Sequence, residues 1–101
     1  MSGEKLTLSQ TQIENRIFTI RGVQVMIDSD LAEMYQTETK FINRAMKRNS
    51  DRFPESFVFQ LTEKEWESLR FQFGTLKIGR GEHRKYLPFV FTEQGVAMLS
   101  A

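Results

Sequence analysis

The hydrophobic pattern of this chain changes at residue 28 from alternation to helical spacing. Between Ile17 and Ile27, apolar residues alternate on both sides of Gly22, which predicts a β-hairpin with its turn near that glycine. Residues 30–35 then carry apolar side chains at the spacing of a helix. A chain with both periods needs strands and helices. We therefore predict an α+β fold in which small antiparallel β-hairpins pack with a helix-turn-helix-like helix pair and further short helices.

Two helices are predicted in close succession. The first runs from about Asp30 to Tyr35, and Glu33 follows Asp30 at the spacing of a capping box. The second begins near Thr37 and ends at about Ser50, so only a short turn separates the two. The N-cap candidates for the first helix are Asp28, Ser29 and Asp30.

A strand and a longer helix are predicted to follow. Residues 57–61 alternate as a strand does, and Thr62 with Glu65 has the spacing of a capping box. The helix that begins there is expected to end at Gly74 and to bury Trp66, Leu69 and Phe73. Residues 75–91 are predicted to form a second hairpin, and the remaining residues to form a last helix.

Positive charge is concentrated in two segments of a chain whose net charge is only +1. Residues 40–52 contain five basic side chains and one acid, and residues 77–85 contain four basic side chains and one acid. Such segments are typical of proteins with a polyanionic partner, but a run of charge is also typical of an ordinary solvated face. Composition leaves both interpretations open.

Residues 38–50 divide into two sides when they are placed on a helix at about 100° per residue. The side expected to pack on the body of the domain comprises Phe41, Ile42, Ala45 and Met46. The opposite side spans an arc of roughly 100° and comprises Lys40, Asn43, Arg44 and Lys47, with Arg48 at its edge. Like charges four residues apart destabilise a helix, a cost that DNA phosphates would reverse. We therefore predict a recognition helix for the DNA major groove, in which Asn43 is suited to a double hydrogen bond with adenine.

Three residues near the turn have the positions that a helix-turn-helix requires. Ala32 is small enough for close packing of the two helices, and Ile42 is a branched apolar residue that faces back toward the first helix. Gln36 departs from the pattern, because glycine is common at this point of the turn. If the turn needs a positive φ, Gln36 carries a steric cost.

The second basic segment, residues 77–85, is a candidate wing. Its two glycines would let the backbone approach a duplex, while its basic side chains contact phosphates or a minor groove. A solvated hairpin tip explains the same segment equally well. The complete set of predicted DNA-binding residues is Thr39, Lys40, Asn43, Arg44, Lys47, Arg48, Arg80, Arg84 and Lys85.

The length of 101 residues corresponds to one small domain. Residues 1–12 are predicted to be a flexible N-terminal tail, and residues 13–101 a single DNA-binding domain that forms the N-terminal part of a longer protein. The chain has no cysteine, which excludes disulfides and thiolate chemistry. It also has no apolar run of membrane-spanning length, so we expect a cytoplasmic protein without a membrane partner.

Three stretches, "RIFTIRGVQVMIDSDLAEMY", "RFPESFVFQLTEKEWESLR" and "RKYLPFVFTEQGVAMLSA", resemble one known family. They are similar to the phage antirepressor N-terminal domain named after open reading frame six of a phage, a relative of the KilA-N and Bro-N domains. The resemblance covers roughly residues 12–101. It implies an α+β domain of phage or prophage origin with a DNA-binding or antirepressor function, which typically continues past Ala101. No base-contacting residue is carried over from the family.

Two alternatives to DNA binding remain. Enzymatic activity, a metal site and a cofactor are not expected, because His83 is the only histidine and no nucleophile or phosphate-loop motif is present. The stronger alternative is an antirepressor that binds a repressor protein through aromatic residues such as Phe71 and Phe73, although helical spacing equally places these residues in the core. Many helix-turn-helix proteins form homodimers to read paired half-sites, so a homodimer contact is a third partner prediction.

Overall fold

The computed structural model describes residues 14–77 and 86–100, without the side chains of residues 72–77. Within these residues, four strands form one antiparallel sheet, and four helices lie beside it. The elements in chain order are β1 (Phe18–Ile20), β2 (Val23–Ile27), α1 (Asp28–Met34), α2 (Thr39–Arg48), a short 3-10 helix (Ser50–Arg52), β3 (Val58–Gln60), α3 (Glu63–Lys77), β4 (Phe89–Thr92) and α4 (Glu93–Ser100). The predicted α+β class is therefore confirmed.

The predicted first hairpin is confirmed, with its turn at Arg21 and Gly22. Phe18 pairs with Val25, so the two turn residues connect β1 to β2 directly. Their φ angles are 55° and 79°. Two consecutive positive φ angles are typical of the tight turn whose twist matches that of the strands it connects.

The sheet has the strand order β1-β2-β4-β3, so β4 lies in its interior and pairs with both β2 and β3. Val90 and Phe91 are adjacent on β4 and both fully buried, but they belong to two different hydrophobic clusters. Consecutive residues of a strand point to opposite faces, so both faces of the sheet are covered.

Each face of the sheet has its own helices. The cluster around Val90 includes Trp66 and Leu69 of α3. The cluster around Phe91 includes Leu31 of α1 and Ile42 of α2, and partly buried residues of α4 pack against it. The α1–α2 pair therefore lies on the opposite side of the sheet from α3.

The capping box predicted at the start of α3 is confirmed. The backbone nitrogen of Thr62 donates to Oε1 of Glu65 at 2.8 Å, and the backbone nitrogen of Glu65 donates to Oγ1 of Thr62 at 3.1 Å. The last helix is also present as predicted, beginning at Glu93.

The predicted second hairpin over residues 75–91 is wrong in its first half. Residue 74 does not end the helix, because α3 continues to Lys77. A glycine inside a helix costs only about 1 kcal/mol relative to alanine, which tertiary contacts can offset. The strand in this region, β4, pairs with β2 and β3 instead. Of the candidate wing at residues 77–85, Lys77 is the last residue of α3, and residues 78–85 lie outside the described residues, as does the tail at residues 1–12.

Capping of the helix pair also differs from the prediction. The first helix begins at Asp28 with Ile27 at the N-cap position and no side-chain cap, and the second begins at Thr39, after Glu38. The predicted capping box of Asp30 and Glu33 is absent, because Asp30 is the third residue of α1 and not its N-cap. Glu33 instead accepts a 2.7 Å hydrogen bond from Arg16. None of the helices within residues 14–77 and 86–100 is long and apolar enough to cross a membrane.

Candidate nucleic-acid interface

The helix pair α1–α2 packs through the residues that the sequence singled out. Ala32 and Ile42 are both buried and belong to one hydrophobic cluster, which also holds Leu31 and Met46. Between the helices, the backbone nitrogen of Thr37 donates a 2.9 Å hydrogen bond to the carbonyl oxygen of Ala32. The pair is therefore tied at its turn and along its apolar contact.

The turn contains a residue in the left-handed region of backbone conformation. Gln36 has a φ of 56°. For a residue other than glycine this conformation costs roughly 1–2 kcal/mol. Because Gln36 occupies this position instead of glycine, the turn is strained. The packing of the helix pair maintains it.

A row of cations on α2 is exposed to solvent. We call this row, which comprises Lys40, Arg44, Lys47 and Arg48, the cationic face. Among the described residues, its only salt bridge joins Lys40 to Glu38 at 3.5 Å, and both of these side chains are more than half exposed. An exposed pair of this kind contributes little. Most of the positive charge on the cationic face is therefore not neutralised within the described parts of the chain.

The helix dipole explains only one end of the cationic face. Lys47 and Arg48 lie in the last turn of α2, where a cation is favourable. Lys40 lies in the first turn, where a cation is unfavourable and where α2 has no acidic residue. The position of Lys40 is thus a cost to the isolated domain.

The prediction that Phe41 packs on the body of the domain is wrong. Its side chain is 44% exposed. The Lys40 ammonium lies 5.4 Å from the centre of the ring, and the Arg44 guanidinium lies 5.3 Å from it. The outward side of α2 therefore includes an aromatic ring between two cations.

Asn43 takes the opposite position from the one predicted. Its side-chain nitrogen donates a 2.9 Å hydrogen bond to Oδ2 of Asp28, which is fully buried. Its side-chain oxygen is buried and accepts no hydrogen bond from the described residues. A double hydrogen bond to adenine needs both ends of the amide, and here the side-chain nitrogen of Asn43 is bonded to Asp28 while its side-chain oxygen is buried. The centre of the outward arc of α2 is thus shifted by about 50° from the predicted one, away from Asn43 and toward Phe41.

Asp28 has a structural role beside the candidate interface that the sequence did not reveal. Its Oδ2 atom also accepts a 3.2 Å hydrogen bond from the backbone nitrogen of Phe89, at the start of β4. An aspartate before a helix is read as a capping residue, and no local pattern distinguishes a cap from a buried acceptor. The carboxylate joins α1, α2 and the sheet, and so it helps to fix the rotation of α2.

The remaining predicted residues are distributed unevenly. Thr39 is half-buried at the first position of α2, and the Lys47 ammonium lies 5.6 Å from the centre of the Phe89 ring. Arg80, Arg84 and Lys85 lie outside the described residues. The structure therefore brings together the cations of α2 only.

These features define a small α+β domain with an exposed cationic helix. The family model of the ORF6N domain matches residues 15–101, so the chain belongs to the ORF6N domain family, the phage ORF6 N-terminal domain, and the resemblance is confirmed. This is a family of phage-associated regulatory domains of the antirepressor type, and it is not a known enzyme family. No curated protein and no solved structure matches the chain.

Proposed function

We propose that this domain binds double-stranded DNA sequence-specifically, as part of a phage or prophage transcriptional regulator. The α1–α2 pair acts as a helix-turn-helix, and α2 enters the major groove. The observation that carries this proposal is the cationic face, whose charge is largely uncompensated within the described residues.

The spacing of the charges supports a polyanionic ligand. Lys40 and Arg44, and likewise Arg44 and Arg48, are like charges four residues apart on an exposed helix. Each such pair destabilises the helix by about 0.2–0.5 kcal/mol. Phosphates convert this repulsion into attraction, because their condensed counterions are released when the cations bind.

The dimensions of the helix pair support the major groove. With ten residues, α2 is about 15 Å long. The major groove is about 12 Å wide and admits one α-helix. The shorter α1 packs against α2, and in this proposal it would cross the DNA backbone as the first helix of such a pair does.

The roles within the interface follow from side-chain chemistry. Arg44 lies in the middle of the cationic face and suits a double hydrogen bond to guanine. Lys40, Lys47 and Arg48 suit phosphate contacts, which determine orientation rather than sequence. Asn43 has no base-reading role in this proposal and instead holds α2 against Asp28.

The experiment is a binding titration with a random-sequence duplex for the wild-type protein and two charge reversals. Arg44→Glu should weaken binding at least tenfold, because it puts a negative charge in the middle of the cationic face, where the nearby phosphates repel it. Lys64→Glu is the matched control, since Lys64 is exposed on α3 at the other face of the sheet. Equal effects of the two reversals would contradict the assignment of the interface to α2.

Binding to a repressor protein is a second candidate, favoured by the exposure of Phe71. The Phe71 side chain is 90% exposed on α3, the helix opposite the cationic face. In this reading, Phe71→Ser releases a repressor that co-purifies with the full-length protein, whereas Arg44→Glu leaves that complex intact. Retention of the repressor by Phe71→Ser would exclude this contact.

A further inference from the structure

We propose that Phe41 is a specificity-determining residue that contacts the 5-methyl group of a thymine in the major groove. This inference rests on the proposed DNA binding by α2. It assigns sequence reading to a residue that the pattern of the sequence had placed in the core.

The first observation is the position of Phe41 within the cationic face. Its neighbours Ile42 and Met46 are each 6% exposed, whereas Phe41 is 44% exposed. A single exposed apolar residue is ordinary on a protein surface. Here, however, the ring lies between Lys40 and Arg44, the two cations that approach it to within 5.4 Å and 5.3 Å.

The positions of Lys40 and Arg44 also determine where the Phe41 ring would lie in a complex with DNA. If Lys40 and Arg44 contact the DNA, the ring between them is carried into the same interface. Within a major groove, a phenyl ring has no hydrogen-bonding group with which to satisfy base edges. The thymine methyl is the apolar group on those edges, and contact with it is a recognised use of Phe.

The chemistry also predicts what Phe41 rejects. Cytosine lacks the methyl group and presents an amino donor in the major groove. Packed against the ring, that donor would lose water without gaining an acceptor. Phe41 should therefore favour thymine over cytosine, and it should favour thymine over uracil by the methyl contact alone.

The test begins with selection of bound duplexes from a random pool by the full-length wild-type protein and its Phe41→Ala variant. The wild type should enrich a site with at least one fixed thymine that the variant does not enrich. Replacing that thymine by deoxyuridine removes only the methyl group. The loss of one buried methyl should weaken wild-type binding about three- to fivefold and leave binding by Phe41→Ala nearly unchanged.

Two further variants are the controls. Phe41→Leu keeps an apolar side chain and should retain most of the preference for thymine over uracil. Phe71→Ala makes the same truncation at an exposed phenylalanine on α3 and should retain the full preference. Circular dichroism of each variant establishes that the fold is intact.

The outcomes distinguish this inference from the proposed function. Duplex binding with no enriched thymine, or with the same thymine-to-uracil ratio for wild type and Phe41→Ala, overturns the role of Phe41 and leaves DNA binding in place. The absence of duplex binding by the wild type at low salt overturns both. If Phe41→Ala keeps the ratio but loses a co-purifying repressor, Phe41 is a protein contact and the inference fails.

Discussion

The side-chain nitrogen of Asn43 lies 2.9 Å from Oδ2 of Asp28, and this hydrogen bond joins α2 to the first turn of α1. The same carboxylate oxygen accepts a hydrogen bond from the backbone nitrogen of Phe89, so one buried acceptor contacts both helices and the sheet. The rotation of α2 about its axis decides which side chains face outward. The Asn43–Asp28 bond therefore contributes directly to the placement of the cationic face.

Asn43→Ala should lower the free energy of unfolding by about 1–3 kcal/mol, because Asp28 loses a donor to a buried carboxylate. Urea denaturation measures this change. Lys47→Ala is the control, since Lys47 is exposed one turn away and its removal should change the stability by no more than about 0.5 kcal/mol. In binding assays, Asn43→Ala should not alter base preference at a single position. Loss of a preference for one adenine, with stability unchanged, would show that Asn43 contacts DNA after all.

Gln36→Gly should stabilise the domain by about 0.5–1 kcal/mol, because glycine removes the strain of the positive φ but adds freedom to the unfolded chain. Thermal and urea denaturation measure the gain. Thr37→Gly next to it is the control and should be destabilising, since Thr37 has no positive φ to relieve. A destabilising Gln36→Gly would mean that contacts of the Gln36 side chain matter more than the strain of the backbone.

Gly95→Ala should destabilise the domain by about 1–3 kcal/mol or more, because the new methyl group would overlap the backbone carbonyl oxygen of Phe57. That carbonyl also accepts a hydrogen bond from the backbone nitrogen of Thr92, so it cannot move without loss of this bond. Gln94→Ala, at an exposed position of the same helix, should be close to neutral. Equal stability of the two variants would contradict the close approach of α4 to the backbone of Phe57.

The ion pair between Arg21 and Glu65 should make stability depend on acid pH. The hydrogen bond from the Arg21 guanidinium, together with that from the backbone nitrogen of Thr62, lowers the pKa of Glu65 from 4.5 to about 2. A lowered pKa in the folded state means that this contribution is complete above about pH 4.5 and disappears as the pH falls toward 2.

Glu65→Gln should therefore be less stable than wild type at neutral pH, and the difference should shrink below pH 4.5. Urea midpoints of both proteins over this range measure the trend. Glu67→Gln is the matched control, because it removes the same charge from an exposed position of α3. A difference between wild type and Glu65→Gln that does not change with pH would rule out the ion pair as its cause.

Local patterns predicted the fold where the deciding contacts are themselves local. The alternation around Gly22 and the spacing of Thr62 and Glu65 specify a turn and a helix start within a few residues. The pairing of β4 with β2 could not be predicted in this way, because these strands lie more than sixty residues apart. Whether two such distant strands pair depends on which faces of the strands are buried in the folded domain.

The sequence predicted that the cations of α2 lie on its outward side, but it did not predict the rotation of α2 about its axis. At about 100° per residue, Asn43 falls at the border of the polar arc, and Phe41 falls at the border of the apolar arc. Whether each of these border residues faces inward or outward depends on which groups of the rest of the protein lie beside it. Here the buried Asp28 draws Asn43 inward, and Phe41 is left beside Arg44 at the surface.

The most direct test of the account is the salt dependence of binding to a random-sequence duplex. The three phosphate contacts assigned to Lys40, Lys47 and Arg48 predict a slope of about −3 in a plot of log affinity against log salt concentration. Lys47→Ala should make that slope shallower by about 1. A slope close to zero, or no binding at low salt, would contradict the claim that the cationic face meets DNA.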